Sequence, residues 1–328
     1  MWTITHKLLF FVVLFFTIWI VWKWYWRVQL TYNSSVLSLY TPDTFPIATA
    51  LKDNYDRHVK LGLDHLKNKR VVVTSLVRDV AKKLPDIRRK VERMCQLFGD
   101  YRILIVENDS TDGTREELLR WAAENPKVTI LGCGYNANEC KLPKAPKTIG
   151  HGVDRARIQK MVDLRNIYLD EIKKSYSEWD YAVMWDMDMI GSVYLDGVAN
   201  SFGYLSKRPD VDVVCAYGIY RWGMLTLFYD TYALLHRGET FNIEMKTIHD
   251  LRKGLWEAKY NRGDEPVEVD SCFSGFAIYR IEGLLDDSVY YDMSPPGNLE
   301  CEHVRLHIKM TGKKVVNPSM INYVLLND

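Results

Sequence analysis

Asp186 and Asp188 stand one residue apart, directly after the apolar run Tyr181-Ala182-Val183-Met184-Trp185. Two carboxylates so close raise each other's pKa unless a cation neutralises them. A hard divalent ion that takes oxygen ligands, Mg²⁺ or Mn²⁺, meets that need. Such an ion also holds a diphosphate and stabilises the charge that grows on it as it departs. A solvated loop is the bland alternative, and the position after a buried strand favours the metal site.

A second acidic segment runs Val106-Glu107-Asn108-Asp109-Ser110-Thr111-Asp112-Gly113-Thr114. Glu107 and Asp109 are placed to meet a base or ribose, while Ser110, Thr111 and Asp112 cap the helix that follows. Nearer the C-terminus, Glu300-Cys301-Glu302-His303 offers two glutamates for acid or base work on a hydroxyl and an imidazole as a third metal ligand. His307, one helical turn on, is the substitute for His303. Cys272-Phe273-Ser274-Gly275-Phe276-Ala277 reads as a loop entering a strand, with Gly275 allowing close backbone approach. Tyr220, Trp222 and Phe273 are candidates for a wall on which an acceptor stacks, or for core packing.

These residues need a scaffold. Residues 71–77, 101–106, 128–131 and 181–185 are short β-branched or apolar runs of the kind that fill strands buried on both faces. Helical patterns at 84–98, 114–124 and 156–174 separate them. This alternation predicts a parallel sheet with right-handed crossovers, whose ligands gather at the carboxyl ends of the strands. The acidic motifs fall there.

The chain has 328 residues and a formal net charge of +1, so no polycationic face offers itself to nucleic acid. Residues 8–26 form an apolar helix ending in Lys23 and three aromatic residues, which predicts a transmembrane anchor; a cleaved signal peptide would need small residues where Trp, Tyr and Arg stand. The expected order is a short tail 1–7, the anchor 8–26, a stem 27–68 and a catalytic domain 69–328. Six cysteines permit three disulfides, Cys133 and Cys140 among the candidates, and none forms a C-x-x-C zinc pair. Asn33-Ser34-Ser35 is a formal glycosylation sequon.

A strand ending in VENDSTDGT followed by one ending in DMD resembles the nucleotide-sugar transferases of the GT-A fold. RIQKMVDLRNIYL from Arg157, WDYAVMWDMDM from Trp179, FYDTYALLHRGE from Phe228, PVEVDSCFSGFAIYR from Pro266 and ECEHVRLHIKMTGKKVVNPSMINYV from Glu300 resemble, in order, the fungal capsule-associated α-1,3-mannosyltransferase family. The likeness covers roughly Lys69 to Val324. It implies an α/β, GT-A-like (Rossmann-like) nucleotide-sugar-binding domain with a central, mostly parallel sheet. It further implies that Glu107 binds the nucleotide, that Arg165 or Asn166 lies against the donor, and that Asp186 and Asp188 hold Mn²⁺ or Mg²⁺. The acidic motif departs from the family's commoner single Asp after Asn, so either aspartate is the direct ligand. Tyr229, Asp230 and Arg237 match a further motif without an assigned role.

The implied reaction moves a hexose, mannose from GDP-mannose, to a glycan hydroxyl with retention of configuration, with Arg165 stabilising the departing diphosphate. The implied setting is a type II membrane protein of the Golgi or another secretory-pathway membrane. Two rivals stand beside it. A sugar nucleotidyltransferase would want a glycine-rich basic loop where Ser75-Leu76-Val77-Arg78-Asp79 stands. A catalytically inactive, membrane-tethered glycan-binding scaffold would keep the fold and lose the acids.

Overall fold

A computed structural model describes residues 4–35, 40–41, 45–132, 155–189, 191–222, 225–241 and 259–324. Cys133, Cys140 and the side chains of Asn33 and Trp222 lie outside the described set.

Strand β1 (Arg70–Val77) pairs in parallel with β2 (Asp100–Glu107) on one side and with β4 (Tyr181–Trp185) on the other, and β3 (Val128–Gly132) pairs in parallel with β2. Helices α3 (Leu84–Cys95), α4 (Thr114–Glu124) and α5 (Arg155–Ser175) make the crossovers. The period-2 alternation of a strand splits its side chains between two cores. Val71, Val73, Ile103 and Ile105 enter the core that α3 and α4 cover, and Val72, Leu76, Leu104 and Val106 enter the core that α5 covers. Both faces are buried, which is why these strands read as unbroken apolar runs.

Beyond β4 the sheet changes character. β10 (Phe276–Arg280) runs antiparallel to β4 and to β6 (Val211–Trp222), which in turn pairs in parallel with β11 (Lys313–Val324). β9 (Val267–Ser271), β8 (Leu235–His236), β7 (Leu225–Phe228) and β5 (Gly191–Val193) add antiparallel pairs. The expected mostly parallel sheet is therefore its first four strands, β3-β2-β1-β4, and the rest is mixed.

The stem expected at 27–68 contains α2 (Thr49–Leu66), which belongs to the packed domain. Leu66 and Tyr55 are buried, and the Tyr55 hydroxyl donates to Asp196 at 2.8 Å. Asp196 lies in α6 (Leu195–Leu205), against which α2 packs through glycines: a Cβ on Gly62 would fall 1.7 Å from the Ala199 carbonyl oxygen. The polar residues that suggested a linker form the outer face of this helix.

Helix α1 (Ile4–Ser35) covers and exceeds the expected anchor. Its described apolar side chains run, exposed, from Leu9 to Val21. Among the described residues no helix is long and apolar enough to cross a membrane, so the span expected at 8–26 is not supported by the fold.

Candidate active site

Asp186 follows the last residue of β4, where its N–H donates to the Gly275 carbonyl at 2.9 Å. Its carboxylate accepts from Nη2 of Arg165 at 3.2 Å. The same guanidinium donates from Nε to Glu302 Oε1 at 2.9 Å and from Nη1 to the Tyr168 hydroxyl at 3.2 Å. It lies over the rings of Phe273 and Tyr291, at 5.0 and 5.9 Å from their centroids. Arg165, on the inner face of α5, thus ties the end of β4 to the first residue of α7 (Glu302–His307). A planar fork with fixed donors suits this three-way role better than a lysine would.

The charge is incompletely offset. Burial pushes Asp186 above the usual carboxylate range against the pull of Arg165. Burial and the charge of Asp186 push Asp188 up to about 6, with Lys83 pulling the other way. Lys83 Nζ also reaches the Asp188 carbonyl at 3.4 Å. Burial raises Asp230 to about 7 in spite of the N–H bond it accepts from Ser274, and the charges of Asp186 and Glu302 add to the rise.

His303 stacks on Phe273 with centroids 3.7 Å apart, and its Nε2 is 3.9 Å from Glu302. It is 1% exposed, neither ring nitrogen has a hydrogen-bond partner, and burial followed by the Arg165 charge holds its pKa well below that of a free imidazole. The expected three-ligand set Asp186, Asp188 and His303 is not assembled. Among the described residues no three His, Cys, Asp or Glu side chains are placed to hold a metal, and stacking on Phe273 fixes the imidazole elsewhere. His307 is no substitute, because Ser271 and Tyr279 occupy its two nitrogens at 3.1 and 3.0 Å.

The acids nonetheless fit a divalent ion of a particular kind. Asp186 and Asp188 are carboxyls one residue apart, both raised above the ordinary range by burial, with the charge of Asp186 adding to the rise at Asp188. Mg²⁺ and Mn²⁺ sites that use one or two carboxylates and complete themselves with substrate phosphates and water match that donor set.

On the other side of the sheet end, Glu107 is fully buried. Its carboxylate accepts from the Ser110 N–H at 2.6 Å and from Nε and Nη2 of Arg115 at 3.1 and 3.0 Å. Glu107 therefore braces the loop from within. Asp109, at φ 55°, stands 3.9 Å from the same arginine. Asp112 accepts from the Thr114 N–H at 3.0 Å and from the Ala81 N–H at 3.0 Å, and Ser110 accepts from the Asp79 N–H at 3.0 Å. The expected caps serve mostly to lock this loop to the β1–α3 turn. Asn108, between the two named acids, has a buried Oδ1 without a partner, and no signal of spacing distinguished it in the sequence.

Two expected contacts point elsewhere. Asn166 uses its amide to pair both backbone groups of Tyr291 at 3.0 Å, and Glu300 is held by Arg305 at 3.2 Å and Asn298 at 2.8 Å. Phe273 is buried, so it belongs to the core and not to an acceptor wall; Tyr220 is partly buried. Arg237 pairs with Glu268 at 2.7 Å. The structure brings together Arg165, Asp186 and Glu302 from the sequence set, and adds Asp230 and Ser274.

The family model for Cryptococcal mannosyltransferase 1 matches residues 70–305. Curated proteins yield no match. Among similar solved structures are the mannosyltransferase PcManGT from Pyrobaculum calidifontis in complex with GDP-Man and Mn²⁺ (13% identity, 85% of this chain and 68% of that one, TM-score 0.46). Also similar are S. aureus TarS 1-349 with UDP-GlcNAc (12%, 79% and 59%, TM-score 0.42) and GalNAc-T7 with UDP, GalNAc and Mn²⁺ (11%, 86% and 54%, TM-score 0.46). The chain thus spans 54–68% of the length of these structures, and at such scores they carry no argument about its chemistry. The family match takes in β1 through the Arg165, Asp186 and Glu302 assembly, and the chain belongs to the Cryptococcal mannosyltransferase 1 family and is a glycosyltransferase.

Proposed function

We propose that the protein transfers a hexose, mannose from GDP-mannose, to a hydroxyl of a glycan in a metal-dependent reaction. The observation that carries this reading is the pair Asp186 and Asp188, one residue apart at the carboxyl end of β4, within a domain that matches the mannosyltransferase family model. Asp186 and Asp188 would hold Mn²⁺ or Mg²⁺, which supplies charge neutralisation for the departing diphosphate. Glu107 with Arg115 holds the loop at the end of β2 that would meet the nucleotide. Arg165 positions Asp186 and Glu302. Lys83 and Arg157, whose charges act on Asp188 and Asp186, are the basic groups for the diphosphate. The transition state has oxocarbenium character, so groups preorganised around growing negative charge on the leaving group lower the barrier most.

Membrane attachment and a secretory-pathway, type II placement in the Golgi belong to the same reading. Their support is the exposed apolar surface of α1 and the Cys215–Cys272 disulfide, a bond that persists in oxidising compartments. Alkaline carbonate extraction of the expressed chain should leave it in the pellet.

The deciding assay follows release of nucleoside diphosphate by the full chain from a panel of nucleotide sugars, with Mn²⁺ or with chelator. Release from GDP-mannose that needs the metal and disappears in Asp188→Ala is expected. Release from another donor would replace mannose in this account, and no release from any donor by folded protein would end the enzyme reading.

A further inference from the structure

We propose that Asn322, in the last strand, is a positioning residue for the acidic pair: its amide holds the turn on which Asp186 rests and so sets the affinity of the site for a divalent ion. The inference rests on the metal-dependent transferase reading above. Phe276 returns its N–H to the Phe273 carbonyl at 3.2 Å, and the two residues between them, Ser274 and Gly275, have φ of 56° and 74°. This is a type I′ turn, whose two central residues both need positive φ and are most often Asn-Gly. Glycine takes that backbone freely, whereas serine stays in it only where its surroundings over-determine it.

Ser274 is held by both of its backbone polar groups. Its N–H donates to Asp230 Oδ2 at 2.8 Å, and its carbonyl accepts from Nδ2 of Asn322 at 2.6 Å. The strand beside the turn makes room for it, since a Cβ on Gly218 would stand 2.9 Å from the Ser274 Cβ. Ser274 and Asn322 are both buried, so removing the amide would leave the carbonyl without a donor and without water.

What the turn holds is the acidic segment. β10 and β4 are in register up to Phe276 and Trp185, and one step beyond that pair the Gly275 carbonyl accepts the Asp186 N–H at 2.9 Å. A Cβ on Gly275 would fall 2.7 Å from Met189 Sδ and 2.9 Å from Asn322 Nδ2, so the segment, the turn and the amide meet at one point. After the acids the chain enters β5, where Val193 is the register partner of Asn322 itself. Asn322 thus grips residues 186–193 at both ends, by its side chain through the turn and by its backbone through the ladder. Mg²⁺ and, by the same oxygen chemistry, Mn²⁺ tolerate little error in the placement of a carboxylate, so a shift of the Asp186 backbone is read as lost metal affinity. β11 lies beyond residues 70–305 of the family match, and the support of the acids therefore extends past them.

The test uses the full chain and follows Mn²⁺ binding by electron paramagnetic resonance with GDP present, a readout that needs no turnover. Asn322→Leu is similar in size and lacks the donor, and its Mn²⁺ Kd should rise about tenfold or more, the equivalent of one buried hydrogen bond. Asn317→Ala is the control, since this buried amide of the same strand donates to Asn200 and Ser201 on α6 and does not touch the turn. It should lower the urea midpoint as Asn322→Leu does, while its Mn²⁺ Kd stays within about threefold of wild type. A Kd within about threefold of wild type in Asn322→Leu, or equal weakening in both variants, overturns the inference. If Asn322→Leu does not fold, Asn322→Asp, which keeps the shape and puts an acceptor where the donor stood, is judged by the same thresholds. Wild-type chain that takes up no Mn²⁺ with either GDP or UDP sinks the metal-dependent reading and this inference with it, whereas binding that the Asn322 variant leaves unmoved removes this inference alone.

Discussion

Two acidic regions meet at the carboxyl edge of the sheet and are built on opposite principles. In the loop 107–115 two acids have donors of their own: Glu107 has Arg115 and the Ser110 N–H, and Asp112 has Thr114 and the Ala81 N–H. Although burial opposes it, these bonds hold Asp112 below the ordinary carboxylate range. Around the turn at 273–275, acids outnumber cations, one guanidinium serves two of them, and Asp186, Asp188 and Asp230 are all held high by burial. A site complete in itself stabilises a loop; a site short of charge is prepared for something that brings it. Perturbed carboxyls of the second kind are the ones to expect where chemistry happens.

The sharpest way to break the contrast is to remove its shared cation. Arg165→Met leaves Asp186 and Glu302 buried without a partner, which should cost about 3–5 kcal/mol. Urea unfolding would read this directly, and transferase activity should vanish with it. Arg165→Lys should not restore either property, because a point charge cannot reach Glu302, Asp186 and Tyr168 together.

Second in size is the covalent restraint on the same turn. Cys272 precedes Phe273 and is bonded to Cys215 on β6, closing a loop with a sequence separation of 57. Loop-closure entropy for that length corresponds to about 4 kcal/mol. Reduction of the folded protein, or Cys215→Ala, should lower the urea midpoint accordingly. No change in the midpoint on reduction would show that burial alone holds the turn.

The matched loop should respond as a unit. Glu107→Gln and Arg115→Met each strand a polar partner and should cost about 1–3 kcal/mol. The double variant should cost less than the sum, with a coupling of about 0.5–3 kcal/mol, as expected for side chains in one network. GDP affinity should fall in both single variants, because the two side chains together hold the loop at the end of β2. Strict additivity would show that the loop is held by its backbone bonds alone.

How much of this was legible in the sequence differs between the same two regions. The elements from Arg70 to Trp185 were readable almost to the residue, since strands buried on both faces are unbroken apolar runs separated by amphipathic helices. After Trp185 the sheet mixes directions, and its order β4-β10-β6-β11-β9 pairs segments distant in sequence, which no local pattern displays. The acids themselves were visible; their partners were not. Arg115 lies eight residues after Glu107, and Arg165 lies 137 residues before Glu302. Asp230 stood in a motif without a role because the turn that holds it comes 44 residues later. Helix α2 looks like stem in the sequence because its polar residues mask the few positions, Tyr55, Gly62 and Leu66, that pack it into the domain.

A last effect, spread over pH, separates the histidines from the acids. His307 is buried against Ser271 and Tyr279, and burial, with the Lys314 charge adding to it, lowers its pKa to about 3. The folded pKa lies below the unfolded value near 6.5, so folding favours the neutral ring. Above about pH 6.5 both states are neutral and the contribution is whole. Below it the unfolded chain takes up a proton that the folded protein refuses, and stability falls by up to about 1.4 kcal/mol per pH unit until the folded pKa is reached. The raised carboxyls act in the opposite sense, since the folded protein binds their protons first as the pH falls through their folded pKa. His307→Gln should therefore flatten the loss between pH 6.5 and 4 while Asp230→Asn steepens it, measured as urea midpoints on metal-free protein. If both variants shift the profile in the same direction, the acids around the turn are not short of charge, and the contrast between the two regions fails.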